Sequence, residues 1–103
     1  MSDKPKAHKQ FMSEYPAIGA AYEQLAGAAY QAGPLDEKSC QLVKLALSIG
    51  SRHEGAVHAH TRRALEVGVT PAEIRHAVTL AVTTLGMPNA VAAYTWVNDI
   101  LTA

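Results

Sequence analysis

SRHEGAVHAHTRRALEVGVTPAE, residues Ser51 to Glu73, is the stretch whose reading decides the fold. Its clearest punctuation is Thr70-Pro71-Ala72-Glu73. A threonine can cap a helix, a proline loses nothing in the first turn, and a glutamate three residues after the cap can return a hydrogen bond to it. Gly68 stands where a helix ends, because glycine tolerates the left-handed backbone of a C-terminal cap. Upstream, Ser51 and Glu54 have the spacing of a second capping box. The stretch therefore predicts one helix from about Ser51 to Gly68 and the firm start of another at Pro71.

Working outward, Leu42, Leu45, Ala46 and Ile49 recur at three- and four-residue steps up to Gly50. This predicts a helix over Glu37 to Ile49, with Asp36 at its N-cap position. Before it, Gly33-Pro34 is a stop. Pro16 to Gln31 carries Ile18, Tyr22, Leu25, Ala29 and Tyr30 at helical period and reads as a further helix. His8 to Glu14 allows a short one, and residues 1 to 7 read as a disordered tail. On the C-terminal side, Ile74, Ala77, Val78, Leu80, Ala81 and Leu85 make the helix after Pro71 apolar on most sides, which predicts burial on more than one face. Gly86 ends it and Pro88 opens the last helix. No strand alternation or hairpin dipeptide is present, so the expected fold is all-α, with residues 8–103 as a single domain.

Nine basic and nine acidic residues leave the formal charge at zero, so no global field favours nucleic acid or an anionic membrane. Ala77 to Asn98 lacks charge over nearly the length of a membrane span. Thr79, Thr83, Thr84, Gly86, Pro88 and Asn89 interrupt it, and two helices joined by a turn are the expectation. The single cysteine, Cys40, excludes an intramolecular disulfide and a cysteine-based zinc cluster. The polar N-terminal stretch has no apolar run of the secretory kind. A cytoplasmic location is expected on these grounds.

Histidine density makes the central helix the place to look for chemistry. At 100° per residue, His53, Ala56, Val57, His60, Ala64 and Val67 fall on one apolar line. Glu54, His58 and Arg62 form a second ladder nearer solvent. His53 and His60 are about 10 Å apart along the axis, and the side chains of His58 and His60 diverge, so neither pair chelates. No metal or other cofactor is expected. His60, an imidazole on an apolar stripe, is the natural general acid or base.

The stretch from Leu35 to Val78, LDEKSCQLVKLALSIGSRHEGAVHAHTRRALEVGVTPAEIRHAV, resembles the carboxymuconolactone decarboxylase and alkylhydroperoxidase D-like family, and the resemblance extends to Pro88. It implies a compact helical fold assembled as trimers or hexamers, with active sites near subunit interfaces. In the redox branch of that family a Cys-x-x-Cys pair opens the central helix. Carried over, the cysteines fall on His53 and Ala56, the distal histidine on His60, and a relay glutamate on Gln41. Thiol peroxidase chemistry needs a thiolate and a resolving thiol, and this chain supplies neither at those positions. The decarboxylase branch, which lacks the pair and keeps the histidine, is the better match at that site.

The expected site therefore comprises His60, His53 and Gln41 as catalytic positions, with Arg52, Glu54, His58, Arg62 and also Arg63 as groups to hold a small carboxylated substrate. Three functions compete: a non-redox, decarboxylase-like lyase, an oligomeric binding or scaffold protein, and a residual peroxidase working through Cys40.

Overall fold

A computed structural model of the chain describes residues 6–103, and its elements are six helices: α1 (Lys6–Glu14), α2 (Pro16–Gln31), α3 (Glu37–Gly50), α4 (Glu54–Glu66), α5 (Pro71–Thr84) and α6 (Met87–Leu101). No strand occurs among the described residues. The all-α expectation is met. Of the expected tail, residues 1–5 lie outside the described residues, and Lys6 and Ala7 form the first turn of α1.

The helices divide into two units, α1 with α2 and α3 with α4, α5 and α6. In the first, α1 and α2 meet at Gly19, where an added Cβ would lie 3.3 Å from both the Met12 carbonyl oxygen and its Sδ. A side chain at that position would push the helices apart. His8 packs edge-on against Tyr22 at a centroid distance of 6.3 Å, and Phe11 lies 5.1 Å from Tyr15. Gly19 is the only residue of α2 that is buried. The apolar stripe read from the sequence is present but uncovered, with Ile18 53% and Leu25 67% exposed.

The second unit holds the core. Leu45 of α3, Val57 and Ala64 of α4, Ile74 of α5, and Ala93 and Val97 of α6 are wholly buried. Loss of such a side chain costs both its transfer free energy and the cavity it leaves. Two buried hydroxyls are satisfied locally: Thr61 donates to the Val57 carbonyl at 2.7 Å and Ser48 to that of Leu45 at 2.6 Å. The capping box of α5 forms as its residues dictate, with the Glu73 amide donating to Thr70 Oγ1 at 3.1 Å and the Thr70 amide to Glu73 Oε1 at 2.8 Å. Gly68 sits before it at φ +92.

Three expectations need correction. Ser51 does not cap α4; its hydroxyl turns back to the Ser48 carbonyl at 3.0 Å, and the cap is His53, whose Nδ1 accepts the Ala56 amide at 3.0 Å. The physical reason is the tight α3–α4 junction, in which the Arg52 and His53 amides donate to the Ile49 and Ser48 carbonyls and absorb Ser51 into the end of α3. The buried line of α4 is Val57, Thr61 and Ala64, which leaves His53 exposed at the helix end and His60 at the edge of the stripe. Finally, α5 buries one face only, Ile74, Val78 and Ala81, while Leu80 is 60% exposed. The uncharged Ala77–Asn98 segment is split between α5 and α6, and no described helix is long and apolar enough to cross a membrane.

Candidate functional site

Helices α3 and α4 pack side by side, and the polar residues of interest lie on and beside that contact. Gln41 is buried on α3, 7% exposed. Lys44, one turn further on, and Arg63 on α4 act electrostatically on His60. His60 is half-buried, and its Nδ1 is enclosed without a hydrogen-bond partner. Its pKa is pushed down to about 4, chiefly by burial, which disfavours the imidazolium, and further by the positive charges of Arg63 and Lys44.

That combination narrows the chemistry. At neutral pH the ring is uncharged, so it can accept a proton or a hydrogen bond but is a poor proton donor. Two cations beside a neutral imidazole make a setting in which an anion is welcome. An anion bound there would offset the charges that hold the pKa down and so raise it again. Lys44 is the partner the sequence reading missed. Its signal was present, because Gln41 and Lys44 are three residues apart and share a side of α3.

The other expected residues are dispersed. His53 is committed to capping, since an Nδ1 that accepts the Ala56 amide carries no proton. Arg52 adopts a left-handed backbone, φ +57, and its Nη1 donates to Asn89 Oδ1 at 2.6 Å, while Asn89 Nδ2 donates to the Leu85 carbonyl at 2.7 Å. Arg52 thus tethers the α3–α4 junction to the start of α6. Arg62 is half-buried on α4.

Glu54 and His58 belong to a different constellation. His58 Nε2 is 3.0 Å from Asp99 Oδ2 on α6 and 4.0 Å from Glu54 Oε2. Their donor atoms all lie within 4.8 Å of one another, the one such group among the described residues that could share a cation. The sequence reading missed Asp99, because only tertiary packing brings α6 to this face of α4. Both carboxylates are more than half exposed, and the histidine–aspartate pair accounts for the geometry on its own.

A separate feature is a groove of about 500 Å³ between α3 and α5. Leu42, Ile49, Ala81 and Leu85 contribute to it, with Val43 and Leu80 as its large exposed side chains. Glu73, His76 and Thr84 are its polar members; none of the expected site residues lines it.

Comparison with known proteins agrees with the architecture. The carboxymuconolactone decarboxylase family profile matches residues 16–99. Among solved structures, the chain is similar to apo-lpg0406, a carboxymuconolactone decarboxylase family protein from Legionella pneumophila, with a TM-score of 0.77 at 25% identity over 89% of this chain and 82% of that one. No curated protein matches the chain. The match of the family profile across all but the ends of the chain, together with the shared helical fold, shows that this protein belongs to the carboxymuconolactone decarboxylase family.

Proposed function

We propose that the protein is a small non-redox enzyme in which His60 acts as a proton acceptor toward a carboxylated small molecule. The carrying observation is the enclosed, unpartnered Nδ1 of an imidazole held neutral beside Lys44 and Arg63. The two cations attract the substrate carboxylate, and the neutral ring takes a proton from carbon next to the activating group. Arg63 and Lys44 disfavour the resulting imidazolium, which returns the proton readily, as a lyase or isomerase cycle requires. Gln41 and the half-buried Arg62 supply further polar groups around the same helix pair. No cofactor enters this scheme, and the protein works as a homo-oligomer, a trimer or hexamer, in the cytoplasm.

The test is turnover on a panel of small carboxylic acids, followed by release of carbon dioxide and by exchange of substrate protons with deuterated water. His60→Gln, which keeps size and polarity, is expected to reduce kcat at least 100-fold on any substrate found. Lys44→Met and Arg63→Met are expected to raise KM. Unchanged turnover in His60→Gln removes the histidine from the mechanism.

A second reading, a binding or scaffold protein, draws support from the uncovered apolar surface: Ile18, Leu25, Leu47, Leu80 and Met87 are each more than half exposed. Turnover by no carboxylate together with a stable oligomer would favour it. Residual peroxidase activity depends on Cys40, a half-buried thiol on α3. That reading requires Cys40→Ser to abolish consumption of hydroperoxide, and no consumption by the unmodified protein rejects it.

A further inference from the structure

Away from His60, one cluster brings together side-chain atoms of the kinds that bind metal. Glu54 and His58 stand four residues apart on α4 and so share one side of it. Asp99 comes to that side from α6. His58 Nε2 lies 3.0 Å from Asp99 Oδ2 and 4.0 Å from Glu54 Oε2, and the three donor atoms fall within 4.8 Å of one another. The hydrogen-bonded pair of His58 and Asp99 explains the first distance. It leaves the second carboxylate, near the same ring nitrogen, without a role.

We propose that Glu54, His58 and Asp99 bind one divalent transition-metal ion of the zinc class, which ties α4 to α6. Bonds of about 2.0–2.1 Å from a tetrahedral ion to nitrogen and oxygen put neighbouring ligand atoms about 3.4 Å apart. The distances of 3.0 and 4.0 Å from the imidazole nitrogen straddle that value. Both carboxylates are more than half exposed, so rotation of their side chains can close the rest.

Charge agrees. Two carboxylates against one imidazole leave the trio negative even when the ring is protonated, and a divalent cation balances it. The ligand set then selects among cations, because an imidazole nitrogen suits zinc and its neighbours whereas magnesium and calcium take oxygen ligands. The helices are anchored beside the site: Val57, next to His58, and Val97, two residues before Asp99, are wholly buried. Three protein ligands leave a fourth position for water on the exposed side. The spacing of the α4 histidines rules out a chelating pair of them; the trio uses one histidine and takes its third ligand from another helix.

The experiment is calorimetric titration of the metal-free protein with zinc chloride, repeated on His58→Gln, Asp99→Asn, Glu54→Gln and His60→Gln. One ion per chain is expected to bind. His58→Gln and Asp99→Asn should each weaken binding at least about 10-fold and Glu54→Gln at least about 3-fold. His60→Gln should bind zinc as the unmodified protein does, because its ring diverges from that of His58 on the helix. Zinc at about 100 times its Kd should raise the Tm by roughly 5 °C or more, a chelator should reverse the rise, and Asp99→Asn should cut it to about half or less. The carboxamide variants keep the size of the carboxylates they replace, so the fold survives the test.

Absence of zinc binding, or binding that Glu54→Gln and Asp99→Asn leave unchanged, overturns the proposal. Loss of binding in His60→Gln would put the ion on another face of α4 and overturns it too. Magnesium chloride that binds as tightly as zinc would overturn the choice of metal. None of these outcomes bears on turnover through His60, which is tested separately.

Discussion

The two flanks of α3 are built from the same helix and face opposite demands. Toward α4 it presents Gln41, buried, and Lys44, whose charge reaches His60. Toward α5 it presents Val43 and Ala46 at the wall of an open apolar groove. A polar group enclosed beside charge is costly to protein stability and is kept where it does something, while an apolar groove left open costs little until another surface fills it. The difference teaches that the polar pocket around His60 and the open apolar groove belong to different faces of one helix, and that each can be disturbed without the other.

The largest effect should come from the core beneath both flanks. Leu45→Ala removes a wholly buried side chain and is expected to lower stability by about 2–5 kcal/mol in urea unfolding. Because that change loosens α3 as a whole, it should disturb the polar pocket and the groove together.

Acid should disturb one flank only. His60 has a folded pKa of about 4 against an ordinary 6.5, so the unfolded chain binds the proton more readily between those values. Its contribution is fully present above about pH 6.5 and is lost as the pH falls toward 4. With allowance for solvent screening the loss is of order 1–2 kcal/mol. His60→Gln should flatten that part of the stability curve, and an unchanged slope would break the assignment.

Caps come next. Thr70→Ala removes the capping box of α5 and should cost about 1 kcal/mol. His53→Ala removes a single cap acceptor from α4 and should cost about 0.5–1 kcal/mol without touching turnover, since the imidazole that caps is not the one proposed to act. Smallest is Asp99→Asn, which leaves His58 without its carboxylate partner. A half-exposed pair of this kind is worth a few tenths of a kcal/mol, an effect that added salt should erase.

Much of the fold was legible because its punctuation is chemical and local. Pro16, Gly33-Pro34, Gly68, Thr70-Pro71 and Gly86 place the starts and stops of helices, and α2 runs over the residues its spacing predicts. Ser51 was illegible for the same reason in reverse. Its capping spacing with Glu54 is local, but the α3–α4 junction is decided by amides that reach back into α3, and His53 takes the cap.

At the site, helical geometry separated His58 from His60, and the family comparison singled out His60. Spacing within α4 could not supply Asp99, which packing brings from α6, while Lys44 left only the three-residue step from Gln41 as its signal. The exposure of Ile18 and Leu25 was likewise hidden, because periodicity tells which residues share a face but not what that face meets.

The central claim is that His60 is held neutral by burial and by the charges of Arg63 and Lys44. Nuclear magnetic resonance of the ring carbons across a pH titration tests it directly. The account predicts a midpoint near 4 in the unmodified protein, a higher one in Lys44→Met, and a higher one again when a carboxylate substrate is bound. A midpoint near 6.5 that neither change moves would contradict it.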